Sequence, residues 1–417
     1  MRALASLPLA VDPLFLGGVG LEEVIIVIIK IVVAFILLMV SVLLMIWFER
    51  KVHADMTNRM GPTIAGPFGL LQTLADGIKL FFKEDLLPSD DRGDSLVFRL
   101  APYMTLIPAF LVFTVVPIGG DFDNSDGTVT WWGNTTNLQV ADPPVGMLFV
   151  LAMSSLAVYG IMLAGWSSGS KYPLFGSVRA TAQMVSYEIA LGLSLAAVLI
   201  KSGSLSTHDI VVGQADGWNW NLWTLGFVPF IVFLIATTAE LNRPPFDLVE
   251  AEQEIVGGFH TEYSSIRFAL FFLGEYMNVV TMSAIMVTLF FGGPDGPIFF
   301  LESLGWLWGI FWFVIKVIAF LFTFVWFRAT LPRFRYDQLM DLGWKLLIPV
   351  SIGWLIALAA IDLAVQDENT AEGLRPLGLH VVWVLLISIG GLMLMGMLLN
   401  AAVANGKRKR LVGEGMD

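Results

Sequence analysis

AELNRPPFDLVEAEQEIVGGFHTEYSSIRFALFFLGEYMN, Ala239–Asn278, sets seven carboxylates into sequence otherwise suited to hydrocarbon: Glu240, Asp247, Glu250, Glu252, Glu254, Glu262 and Glu275. Arg243 and Arg267 share the segment. A bare charge at the bilayer centre costs about 2.5–3.5 kcal/mol on insertion scales, so the cluster needs protein, water or partners around it. Pro244-Pro245 forces a turn at Arg243. If the chain is helical from Asp247 onward, Asp247, Glu250 and Glu254 share one face and Glu252 points away. A solvated acidic loop is the usual fate of such a charge run. Here, however, Phe246, Ile255, Val256 and Phe259 interleave with the acids, and apolar runs flank both ends. The segment reads as a charge-handling site between two membrane spans.

The rest of the chain fits that reading. Of 417 residues, 56% are hydrophobic and 14% charged, and the mean hydropathy is +0.76, the composition of a polytopic membrane protein. Cysteine is absent, which excludes disulfides and thiolate-held metals or iron–sulfur clusters from this chain. The histidines His53, His208, His260 and His380 show no metal-ligand spacing. A hydrocarbon core of about 30 Å takes about 20 apolar residues in a helix. Nine stretches meet that length: 24–48, 99–118, 145–165, 178–200, 222–239, 266–291, 298–327, 342–363 and 379–403. Pro102, Pro108 and Pro117 predict kinks or an early end in the second.

Lys and Arg concentrate in the odd-numbered loops and in the tail Lys407–Arg410, whereas the N-terminus and even loops hold only Arg2, Lys201 and Arg375. The positive-inside rule therefore places the N-terminus outside and the tail in the cytoplasm, which requires nine spans. The loop GGDFDNSDGTVTWWGNTTNLQVADPP is acidic and free of Lys and Arg, as an outer loop should be; its Asn134-Thr135-Thr136 reads as a plain turn. Within Gly69–Lys83, Leu70, Leu71, Leu74, Ile78, Phe81 and Phe82 recur at helical spacing opposite Asp76 and Lys83. That pattern predicts an amphipathic helix at the inner surface, in the first cytoplasmic loop. The fold expected is an all-α polytopic integral membrane protein: residues 1–23 an outer segment, 24–363 an eight-helix core, and 364–417 an extra ninth helix with a basic tail.

Charges within spans are functional candidates by default. Glu188 lies about 15 Å into the fourth span and Glu275 about 13 Å into the sixth at 1.5 Å per residue, while Glu240 closes the fifth. Lys316 lies within the seventh span. Carboxylates at several depths suit a proton or water path better than a structural clasp. Lys30 is expected to snorkel to the outer edge, with no functional role.

FERKVHADMTNRMGP (48–62), GLLQTLADGIKLFFKE (69–84), GWSSGSKYPLFGSVRATAQMVSYEIALGL (165–193), Ala239–Asn278 and LPRFRYDQLMDLGWK (331–345) together resemble one family. It is that of the membrane subunits of NADH-quinone oxidoreductase, respiratory complex I, designated H in bacteria and 1 in mitochondria. The resemblance implies a bacterial cell-membrane subunit of a proton-translocating enzyme, with residues 24–363 forming much of a chamber for ubiquinone or menaquinone. Arg50, Arg59 and Asp76 would line that chamber, and Arg243, Arg328, Arg333 and Arg335 would face it. Glu250, Glu252, Glu254 and Glu262 would form an acidic funnel continued by Glu188, Glu240 and Glu275. Quinone is the implied substrate. FMN and iron–sulfur clusters are implied only in partner subunits, peripheral at the cytoplasmic face, with antiporter-like subunits alongside in the membrane and no nucleic acid. Membrane-bound hydrogenases share related subunits, but RPPFDLVEAEQE and PRFRYDQLM favour the quinone enzyme. A lone secondary transporter would be expected to show inverted repeats, and none is visible.

A reporter fused after Asp417 is expected to read as cytoplasmic, and a cysteine placed at Asn134 to label from outside. A tail found outside would reduce the span count to eight.

Overall fold

The computed structural model describes residues 12–15, 18, 20–88, 93–120, 122, 126–215, 219–248, 256–297 and 305–368, together with residues 384 and 390. Helices dominate, because in hydrocarbon every backbone donor and acceptor must be satisfied within the chain. The first, α1 (Leu21–Met56), runs 36 residues, about 54 Å, so it outreaches a ~30 Å hydrocarbon layer. A surface helix α2 (Gln72–Phe81) follows a short turn at Pro67–Gly69. Then come α3 (Ser95–Phe113), α4 (Gly146–Ser167), α5 (Lys171–Ser202), the short α6 (Thr207–Val212) and α7 (Asn221–Thr224), and α8 (Phe227–Glu240). The chain continues through α9 (Ser265–Phe290), α10 (Gly305–Thr330) and α11 (Tyr336–Leu342), which passes through a π turn at Gly343–Leu347 into α12 (Ile348–Glu368).

Among the described residues, seven helices are long and apolar enough to cross a membrane: α1, α3, α4, α5, α9, α10 and the continuous stretch Tyr336–Ile361. The fifth expected span is present in shortened form. Residues 222–239 do not form one helix: Gly226 at φ +80° breaks the chain after α7, and α8 begins at Phe227 with Pro229 in its first turn, where a missing N–H costs nothing. The fourth span begins seven residues earlier than expected, at Lys171, because KYPLFGSV is too polar to score as hydrocarbon yet continues the helix. That puts Glu188 near the middle of a 32-residue helix. The second starts at Ser95, where the Asp94 carboxylate accepts from Leu96 N and Val97 N. It ends at Phe113, before Pro117, in keeping with the early end expected from the prolines. The ninth span and the basic tail lie outside the described residues, apart from 384 and 390.

The helix α9 occupies the middle of the bundle, in contact with α1, α3, α8 and α10. From Val279 to Phe290 every one of its residues is buried. Phe233 of α8 and Phe230 meet Phe290 edge-on, and Phe230 also meets Phe320 of α10. The α3–α4 contact is close because Gly160 faces Thr105; a Cβ there would come within 2.3 Å of the Thr105 hydroxyl.

Two charged residues behave differently from the expectation drawn from hydropathy. Lys30 does not snorkel. It is buried, its ammonium lies 2.7 Å from Asp12 Oδ2, and it also bonds Thr136 Oγ1. Thr136 in turn donates to the Asp12 carboxylate. It sits in a hairpin, β1 (Thr128–Trp131) against β2 (Asn134–Asn137), so Asn134–Thr136 is strand, not a plain turn. The turn itself is Trp132-Gly133, both at positive φ, as a tight two-residue hairpin loop demands. Lys316 donates to the carbonyls of Phe291, Gly293 and Asp295 at 2.6–3.0 Å, capping the C-terminal end of α9.

Removing Lys30 strands a buried carboxylate, so Lys30→Met is expected to destabilise the protein by roughly 3–5 kcal/mol. Adding Asp12→Leu should recover much of that loss in a denaturation series. Lys30→Met at parental stability would refute the clasp.

Candidate functional site

Glu49 stands near the C-terminal end of α1 and is only 4% exposed. Arg243 Nη1 donates to both its oxygens, at 2.9 and 3.1 Å. Arg328, in the last turn of α10, bonds Oε1 as well. On the other side of Arg243, Nε lies 3.1 Å from Glu275 Oε1, and the guanidinium stacks 4.4 Å over the Tyr276 ring. Two cations and two anions therefore balance at one point, the condition for keeping charges out of water. Burial works against the charge on Arg243, but the Glu275 and Glu49 carboxylates more than offset it and raise its pKa further above the ordinary guanidinium value. Arg243 is a fixed positive charge.

What holds Arg243 there is the turn after α8. Asn242 takes a positive φ of 52°, and Phe246 N closes the turn onto Arg243 O at 2.9 Å. Gln183 of α5 donates to Ala239 O and Phe246 O, at 2.7 and 2.9 Å. Phe334 N reaches Pro245 O at 3.1 Å, with its ring stacked on Phe246. Beside it Arg333 pairs with Asp247 at 2.7 Å.

On the α2 side, Arg50 Nη1 meets Asp76 Oδ2 at 2.6 Å, with Lys79 3.7 Å from the same carboxylate. Partial burial raises the Asp76 pKa, but the hydrogen bond and charge of Arg50 outweigh it, leaving the group below the ordinary carboxylate value. Arg59 donates to Thr57 and is exposed. Nearby Met60 and Ile64 are about 95% exposed, an apolar, uncovered rim between α1 and α2.

Glu275 opens onto a cavity of about 260 Å³ that Glu240, Asn242, His260 and Asn278 also line. A second void, of about 30 Å³, adjoins this cavity, sharing Glu240 and Asn278 with it and walled also by Ser154 and Thr281. Glu188 bonds Ser155 Oγ and is close enough to Glu240 for the two charges to repel. Glu240 is half-buried because it faces the cavity, yet its Oε2 is fully shielded and has no hydrogen-bond partner among the described residues. His260 is pushed down to about 4 by burial, so at neutral pH it adds no positive charge to this wall.

The structure thus brings Arg243, Arg328 and Glu275 onto Glu49, and Glu275, Glu240 and Glu188 into a sequence of neighbours. Arg50 with Asp76 and Arg333 with Asp247 form separate pairs. Arg335 is exposed at the start of α11, and Glu262 is exposed and lines neither cavity. Glu250, Glu252 and Glu254 lie outside the described residues, as does the helical face they would share with Asp247. Glu49, His260, Asn278 and Thr281 were not visible as site residues from sequence. For Glu49 the available signal was an acid at the end of a span whose other terminal charges, Arg50 and Lys51, are basic.

Residues 28–359 match the NADH dehydrogenase family. A protein of Frankia alni, named as the H subunit of NADH-quinone oxidoreductase, is 50% identical over 363 residues, 86% of this chain and 77% of its own length. The Streptomyces avermitilis protein of the same name is 50% identical over 348 residues, covering 82% and 74%. That of Cutibacterium acnes is 44% identical over 384 residues, covering 88% and 84%. Every site residue from Arg50 to Arg335 falls inside the matched interval, and the chain belongs to the NADH dehydrogenase family, among the H subunits of NADH-quinone oxidoreductase.

Proposed function

We propose that this chain forms the quinone-binding chamber of a proton-translocating NADH:quinone oxidoreductase and couples quinone reduction to proton movement through its buried carboxylates. The observation that carries the reading is the junction at Glu49. It links the exposed edge at Arg328 to Arg243 and Glu275, the cavity links Glu275 to Glu240, and Glu188 lies beside Glu240 outside the cavity wall.

Reducing a quinone takes up two electrons and two protons. The electrons come from a partner's iron–sulfur cluster, since this chain has no cysteine to hold one. Arg50, Arg59, Arg333 and Arg335 supply positive charge along the cytoplasmic side, where Asp76 and Asp247 keep two of them paired. The apolar rim at Met60 and Ile64 offers entry for a lipid-soluble tail. A charge created or lost beside Arg328 alters how firmly Glu49 competes with Glu275 for Arg243. At about 4 Å and an effective dielectric near 20, each such contact is worth about 4 kcal/mol, enough to move a proton on or off the next carboxylate. Glu240 and Glu188 repel each other when both are ionised, so a proton gained by one is felt by the other. Glu250, Glu252, Glu254 and Glu262 complete the acidic entrance in this reading, with Glu262 reaching water directly. Peripheral iron–sulfur subunits dock on the basic cytoplasmic face, antiporter-like subunits pack laterally, and the N-terminus lies outside.

In the assembled complex, Glu188→Gln, Glu240→Gln and Glu275→Gln keep shape while removing a titrating group. Each is expected to lower NADH–quinone turnover or proton translocation by about tenfold or more, while NADH oxidation by an artificial peripheral acceptor stays at the parental rate. Glu49→Gln should do the same, with an additional loss of stability because two arginines lose their counter-charge. Assembled variants that all retain parental turnover and pumping would rule the reading out.

A further inference from the structure

Hydroxyls within the spans mostly bond back to their own helix. On α9, Ser283 donates to Val279 O at 2.7 Å and Thr288 to Ala284 O at 2.9 Å, the usual resolution for a polar side chain in hydrocarbon. Thr281, on the same helix, does not. It is 1% exposed, and its Oγ1 has no hydrogen-bond partner among the described residues. It lines the 30 Å³ void beside Glu240, whose Oε2 is also unpartnered. Ser154, the remaining hydroxyl of that wall, donates to Leu151 O at 3.0 Å, and its oxygen can still accept. Asn278, one turn before Thr281 on α9, lines both this void and the larger cavity that Glu275 opens into.

A buried water needs about 10–15 Å³ of accessible space and two to four polar partners. The void is large enough for one or two waters, and Thr281, Asn278, Ser154 and Glu240 Oε2 supply the partners. We propose that Thr281 and Asn278 are positioning residues that seat water in this void, and that this water connects the Glu275 cavity to Oε2 of Glu240. The inference rests on the proton-path reading above and adds to it the step between the two carboxylates. In that step the seated water accepts a proton from the cavity side while one of its own O–H bonds breaks toward Oε2. Each O–H bond broken is matched by one formed, and the water is regenerated.

A purely structural Thr281 makes the opposite prediction. A buried hydroxyl with nothing to bond is a liability, so an isosteric apolar replacement would leave function alone and raise stability. The test uses the assembled complex in inverted membrane vesicles, with Thr281→Val, Thr281→Ser and Glu240→Gln side by side. Expected for Thr281→Val is a drop in quinone turnover and pumping of at least about tenfold, and a larger solvent deuterium isotope effect as proton transfer becomes limiting. Thr281→Ser, which keeps the hydroxyl, should recover most of the rate. Should the valine variant fail to assemble, Thr281→Ala removes the hydroxyl without bulk and carries the same expectation. If Glu240→Gln loses turnover while Thr281→Val keeps parental turnover and isotope effect, the seated water is refuted and the carboxylate path stands. If Glu240→Gln itself keeps full turnover and pumping, Glu240 is no step of the path and this inference falls with it.

Discussion

The contact between Glu49 and Arg243 is the constraint around which this end of the bundle is arranged. Neither charge could be left alone at that burial, and each is satisfied by residues from other elements: Arg328 from α10, Glu275 and Tyr276 from α9. The first span, the turn after α8 and two further helices are therefore registered against one another by charge as well as by shape. Packing alone could have done that job at similar stability, since well-fitted apolar residues often replace buried ion pairs without loss. What an apolar core could not do is transmit a change in charge. Arg328 is partly exposed and Arg243 is not, so the same carboxylate has one partner at the edge and one in the interior.

Much of this architecture was legible because hydrophobic length is a one-dimensional property. Bare acids in apolar runs, Glu188 and Glu275, announced themselves the same way. Their convergence did not, because it depends on pairings between distant segments. Glu49 meets Arg243 across 194 positions and Arg328 across 279; no local period encodes such a pair, and at a span end an acid looks like surface. Lys30 misled for the same reason: its second partner, Thr136, is 106 positions away in a hairpin that hydropathy does not signal. The early start of α5 was missed because its inner end is polar, and hydropathy reports hydrocarbon, not helix. The break at Gly226 depends on a single backbone torsion inside an apolar run, which a length criterion passes over.

The shortness of α8 has its own meaning. At 14 residues it covers about 21 Å, some 9 Å less than a typical hydrocarbon layer. Its last carboxylate and the irregular backbone from Leu241 to Leu248 thus follow a helix that does not by itself cross such a layer. Such backbone survives there only when screened from lipid, which explains why Gln183 and Phe334 both bond it. The membrane is in effect thinned from within, over the width of one helix. Along this one helix the hydrophobic span is shorter than the layer by about a third, and protein contacts rather than regular helix make up the difference.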